Sequence, residues 1–163
     1  MNTSNLDVYV EAKVDRKFDL SPEKVFDAWI NPELATKWLF TSENSDPVGR
    51  VVEMDLRVGG KYIICDRRDG IDIKGDGEYI EVERPSRLKF TFRIAQFSPN
   101  IDPIEIVIKP GDSGCELTAV QTIHLTHDSN HDETVRKTIE ESFVIETIKG
   151  WNQMFDLLAS RIN

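Results

Sequence analysis

The sequence predicts an α+β fold: a curved antiparallel sheet of six to seven strands with one long C-terminal helix across its concave face. Three observations predict it. From Arg50 onward, strand-like segments follow one another at the spacing of an antiparallel meander, punctuated by Gly, Pro and Asp turns. Ser142 to Asn163 carries Phe143, Thr147, Trp151, Met154, Phe155, Leu158 and Ile162 at intervals of three, four and their sums, which puts them on one helical face. A helix with that much aromatic surface has to lie on something apolar, and the preceding sheet is the one large candidate.

Val8 to Leu20 is the first strand. Val8, Val10, Ala12, Val14 and Phe18 share one face, and Tyr9, Glu11, Lys13, Asp15 and Lys17 the other, the alternation of a half-buried strand. Ser21 then supplies an N-cap and Pro22 a first helical position, followed by the apolar stripe Val25, Phe26, Trp29 and Ile30. Asn31-Pro32 closes this helix, because the residue before proline avoids helical angles. Pro32 also opens a second short helix, Glu33 to Trp38. Together the two cap one end of the sheet, and they lack the basic face of a DNA-reading pair.

Phe40 to Gly49 reads as a polar loop. Strands are expected at Val51–Arg57, Lys61–Arg67 and Ile71–Glu83. The next is lined by Leu88, Phe90, Phe92 and Ile94, then one by Ile104, Ile106 and Ile108, and last Cys115–Leu125. Gly59-Gly60, Arg68-Asp69-Gly70 and Pro110 to Gly114 supply the turn chemistry between them. His127 to His131 reads as a polar loop, and Asp132 to Glu141 as a helical stretch ahead of the main helix. No repeat or linker interrupts the order, so one domain over residues 1–163 is expected.

Composition narrows the function classes. The chain is 39% hydrophobic and 30% charged, enough to fill a core without a disulfide or metal staple. A formal net charge of −9 and the absence of a Lys/Arg run argue against nucleic acid and anionic membranes as partners. Cys65 and Cys115 stand apart in strand-like runs, as buried reduced thiols do. The opening stretch lacks a basic segment followed by an apolar one, and no apolar run approaches the ~18 residues that span a bilayer. A cytoplasmic protein without membrane insertion is expected.

Familiar catalytic spellings fail on context. Gly111-Asp112-Ser113-Gly114 resembles the surroundings of a serine nucleophile, but all three histidines follow that serine in a chain too short for a double barrel. It reads as a turn. Gly59-Gly60-Lys61 lacks the leading glycine and following hydroxyl residue of a phosphate loop. The aspartates between Asp66 and Asp76 miss the calcium-loop offsets. His124, His127 and His131, with Asp128 and Asp132, have spacings that could converge on zinc only in a helix, whereas the local residues favour a solvated loop. No metal, cofactor or catalytic residue is assigned.

The aromatic set Tyr62, Phe90, Phe92, Phe143, Trp151 and Phe155 admits two readings, plain core or the lining of an apolar ligand cavity. Alternation places Ile64 with Tyr62, and Glu78 with Ile80 and Val82. An inward Glu78 would be a buried carboxylate, costly unless paired or protonated. The candidate binding set is therefore Tyr62, Ile64, Glu78, Ile80, Phe90, Phe92, Phe143, Trp151 and Phe155.

The run Val14 to Trp29 resembles the opening of the START-like or SRPBCC superfamily, more closely the branch named after the C-terminal domain of the heat-shock-protein-90 ATPase activator. Pro32 to Trp38, Gly59-Gly60-Lys61-Tyr62, Gly77 to Val82, Pro85-Ser86-Arg87-Leu88 and Gly150-Trp151 with Phe155, Leu158 and Ala159 continue the resemblance in order. It implies a helix-grip fold around a hydrophobic cavity, with no catalytic constellation common to the family. The expected function is non-catalytic binding of an apolar or amphipathic small molecule such as a lipid. Tyr62 and Glu78 would orient the ligand's polar end. The alternatives are a chaperone-associated or stress-response interaction protein, using the outer sheet face and the Phe40–Gly49 loop, and a cyclase- or hydrolase-type enzyme drawing on Glu78, Tyr62 and His124.

Overall fold

A computed structural model describes residues 5–163. The reading of the opening stretch as no leader rests partly on residues 1–4, outside the described residues. Strand β1 spans Leu6–Phe18, helix α1 Pro22–Ile30 and helix α2 Pro32–Ala35. The strands β2 (Val51–Met54), β3 (Lys61–Arg68), β4 (Ile71–Glu83), β5 (Arg87–Phe92), β6 (Asp102–Pro110) and β7 (Cys115–His127) follow, and helix α3 runs from Glu133 to Arg161. The seven strands form one antiparallel, curved sheet in the order β1-β7-β6-β5-β4-β3-β2. Apart from β1, which closes against β7 from Leu6↔His127 to Phe18↔Cys115, this is a meander.

The caps sit where the residue types require them. The Ser21 hydroxyl accepts a hydrogen bond from the Lys24 amide at 3.2 Å, and Pro22 takes the first helical position. Asn31 serves two helices: its amide donates to Asp27 O at the end of α1, and its side chain accepts from the Glu33 amide at the start of α2. The Asp132 carboxylate accepts from the Val135 amide and starts α3. The stretch expected as a separate helix before residue 142 is continuous with the main one, since no proline or glycine interrupts residues 132–142.

The core lies between the sheet and the C-terminal half of α3, which buries Trp151, Phe155, Leu157 and Leu158. Trp29 and Trp38, carried by α1 and the turn after α2, meet edge-to-face with centroids 4.7 Å apart. Both also pack on Phe155. The Trp38 indole donates to Ala28 O at 3.0 Å, so this large ring is buried with its one polar atom satisfied. Arg16 from β1 pairs with Asp156, and Arg161 donates to Lys37 O, which fix α3 to β1 and to the segment after α2.

The N-terminal half of α3 is different. Phe143 is 48% exposed and Ile145 63% exposed. Val144 and Ile148 still pack on Ala12, Ile123 and Leu125 of β1 and β7, so this half leans toward β1 and leaves Phe143 uncovered on the β5–β6 side.

Candidate functional site: a hollow between the sheet and the first half of the long helix

The inward side chains of β5, β6 and β7 near this end are Phe92, Asp102, Gln121, Ile123, Leu125 and His127. Facing them are Ile139, Phe143 and Thr147 of α3, and the β5–β6 connection closes a third side with Phe97 and Pro99. The open hollow between them measures about 650 Å³. Two smaller hollows adjoin it at the shared residues Phe92 and Ile94. One, of about 350 Å³, is bounded by Phe40, Arg68, Glu146 and Trp151; the other, of about 120 Å³, by Phe40, Ile64, Asp66, Arg68 and Phe97.

A buried polar chain forms the inner wall. The Trp151 indole N–H donates to Gln121 Oε1 at 2.8 Å, and Gln121 Nε2 donates to Asp102 Oδ2 at 2.8 Å. Asp102 Oδ1 accepts the His124 amide at 2.9 Å. Burial pushes the Asp102 carboxyl up from its ordinary value, while the His124 amide and the Gln121 side chain pull the other way.

Phe40 borders both of the smaller hollows. Its φ of 47° is left-handed, strained for a bulky residue. Its ring stacks on Phe92 at 4.2 Å and 8°. Arg50, 6% exposed in its side chain, holds that backbone by donating to Thr36 O, Phe40 O and Leu39 O. Asp66, 3% exposed, receives Ser45 Oγ at 2.8 Å and Arg68 Nε at 2.6 Å, with Arg50 Nη1 at 3.7 Å.

The sequence matches the family described as Activator of Hsp90 ATPase homolog 1-like protein over residues 19–163. The chain belongs to this family. Solved structures of similar form include a Staphylococcus aureus protein of unknown function, SA2116, with a TM-score of 0.82, 22% identity and 93% and 92% of the two chains covered. CV1439 from Chromobacterium violaceum gives a TM-score of 0.69 at 24% identity over 93% and 96%. An AHSA1-like protein from Aeromonas hydrophila gives 0.69 at 16% over 93% and 90%. At these identities the likeness is one of fold. No curated protein matches the sequence.

In this AHSA1-like chain the nine candidate binding residues do not gather around one space. Tyr62, Phe90, Trp151 and Phe155 pack with Trp29 and Tyr79 into solid core, leaving only about 10 Å³ among Trp29, Tyr62, Tyr79, Phe90 and neighbours. Trp151 also borders the 350 Å³ hollow, Ile64 borders the smallest, and Phe92 and Phe143 line the largest. Glu78 and Ile80 lie off the hollows. Glu78 pairs with the exposed Lys61, on the face opposite the inward Tyr79. The register shifts between Tyr79 and Glu81, so Ile80 is the extra residue of a bulge, and Val82 turns inward opposite Leu88. Simple alternation cannot see that shift.

Two further expectations change. The Tyr62 hydroxyl donates to Thr91 O at 2.6 Å rather than facing a ligand, and burial raises its ionisation well above the ordinary tyrosine value. The 127–131 segment is not wholly a solvated loop. Strand β7 runs on to His127, 2% exposed, whose Nε2 lies 2.8 Å from Glu140 Oε2. The His131 ring stands 6.4 Å from that of His127, and its Nδ1 is buried without a partner among the described residues. His124 sits on the outer face against Tyr9, with centroids 4.6 Å apart, so Glu78, Tyr62 and His124 do not converge. Among the described residues no group of three His, Cys, Asp or Glu is arranged to hold a metal. Sequence reasoning missed Phe40, Ile94 and Phe97 as cavity residues. The left-handed Phe40 has no sequence signature, and Phe97 lies in a connection without periodicity.

Proposed function

We propose that this chain binds an apolar or amphipathic small molecule in the hollow between β5–β7 and the first half of α3. The observation that carries this reading is the open space of about 650 Å³ beside the half-exposed Phe143, next to a core packed solid around Trp29, Trp38 and Phe155. A space of that size is in the range of small-molecule sites, and a lining that mixes Phe92, Phe97, Ile123, Leu125, Ile139 and Phe143 with polar side chains suits an amphipathic ligand held partly by burial. Its polar groups include Gln121, Asp102, His127, His131, Asn100 and Arg93. The test is native mass spectrometry of gently purified protein, followed by calorimetric titration with apolar and amphipathic compounds. Saturable one-to-one binding is the expected result. Absence of any such binding, with Phe143→Ala and Phe97→Ala indistinguishable from wild type, would overturn it.

A second reading is association with a chaperone, supported by the family description as an activator of the Hsp90 ATPase. It is tested by measuring the ATPase rate of purified Hsp90 with and without the chain; an unchanged rate removes it.

A further inference from the structure

Charge balance at the narrow end of the hollow is unusual for so acidic a chain. Arg50 and Arg68 share one carboxylate, Asp66, at 3.7 and 2.6 Å. The other arginine pairs along the sheet are matched: Arg93 forks onto Asp76, Arg67 onto Asp72, Arg84 onto Asp27, and Arg87 lies between Glu81 and Glu105. The Asp66 cluster therefore carries one surplus positive charge. Asp66 and Arg50 are buried and committed, Asp66 to Ser45 and Arg50 to backbone carbonyls, so the surplus is presented by Arg68, 42% exposed in its side chain.

Arg68 borders both smaller hollows, against Phe40, Phe92 and Ile94. Its Nε is held by Asp66, and among the described residues Nη1 and Nη2 have no hydrogen-bond partner. The guanidinium is thus oriented from behind, with its two-nitrogen end left for a ligand. That end matches a carboxylate in shape and charge. Glu146 is the acid that borders the larger of these hollows, and it forms no ion pair with Arg68.

We propose that the ligand is an amphipathic carboxylate, its acid group held end-on by Arg68 and its apolar body running past Phe40 and Phe92 toward Phe143. The assignment rests on the small-molecule reading above and refines it. Arg68 is the specificity-determining group, and Asp66 is a positioning residue that aims it.

The test is calorimetric titration of the full chain with decanoate, decanol and decylammonium below their aggregation concentrations. A purely apolar hollow prefers decanol, the least hydrated of the three. Recognition by Arg68 reverses that order, with decanoate bound about tenfold or more tighter than decanol, the size of a charge-assisted pair, and decylammonium weakest. Arg68→Gln is expected to drop decanoate below decanol and leave decanol within about twofold, a hydrogen-bonding neutral side chain supplying no charge. Should that variant misfold once Asp66 is left without its partner, the wild-type ranking alone decides. Decanol binding as tightly as decanoate overturns the carboxylate assignment and leaves small-molecule binding standing. Decylammonium binding tightest overturns it in favour of the acids. Binding of none of the three removes both readings.

Discussion

The Trp151 indole N–H donates to Gln121 Oε1 across 2.8 Å of buried space, joining the centre of α3 to the centre of β7. Indole is a donor only, so this interaction fixes which way the Gln121 amide points. The amide nitrogen then faces Asp102, which has to be an acceptor there. One hydrogen bond thus orders three residues at the boundary between packed core and open hollow.

Gln121→Met keeps the volume but strands the Trp151 N–H and one Asp102 oxygen. A loss of about 2–6 kcal/mol is expected, since each of the two buried polar groups left unpaired costs about 1–3 kcal/mol. Urea unfolding should show a lower midpoint with unchanged slope.

Asp102 gives stability a pH dependence of defined sign. Its carboxyl is raised in the folded protein. The folded state therefore holds the proton more tightly than the unfolded one, and stability falls as pH rises from the ordinary carboxylate value through the raised one. The stability of wild type relative to Asp102→Asn, measured by urea unfolding across that window, should rise as pH falls. A difference independent of pH would contradict the assignment.

Gly77→Ala tests a close approach. A Cβ there would stand 1.8 Å from Thr91 O and 2.6 Å from Tyr62 Cε1, both held in place by the Tyr62 O–H to Thr91 O bond. Backbone has to shift, at about 1–3 kcal/mol or more. Tyr62→Phe, which removes only the hydroxyl, should cost about 1 kcal/mol. Thermal denaturation ranks the two.

Phe143→Ala separates function from stability. Its ring is 48% exposed and lines the largest hollow. Unfolding free energy should stay within about 0.5 kcal/mol of wild type. Ligand affinity should drop several-fold, because the bound molecule then buries less apolar surface, each Å² being worth about 25 cal/mol.

Much of the fold is legible in the sequence. Ser21-Pro22, Asn31-Pro32 and the alternation of β1 and β5 through β7 are local signals, and local geometry obeys them. The spacing of Trp151, Phe155, Leu158 and Ile162 marks the buried face of α3, but Phe143 sits on the same stripe and half faces solvent. Periodicity reports which side of a helix is apolar, not where its partner surface ends. Alternation ties Glu78 to Ile80 and Val82, and the bulge at Ile80 breaks that tie by moving every later residue of β4 one step. The sequence leaves open whether Trp151 and Phe155 line a cavity or fill the core; Trp29 and Trp38, folded back by α1 and α2, pack against them. The meeting of α1 and α2 with α3 joins segments at opposite ends of the chain, and no local pattern encodes it.

All three tryptophans of the chain stand side by side: Trp29 meets Trp38 at 4.7 Å and Trp151 at 5.6 Å. At such separations their transition dipoles couple, and excitation of one is shared with the others. Trp151 borders the hollow beside Phe40, so an occupant there perturbs the whole trio. Near-ultraviolet circular dichroism and emission of the unlabelled protein thereby become an intrinsic optical gauge, sensitive at once to tertiary packing and to whatever enters beside it.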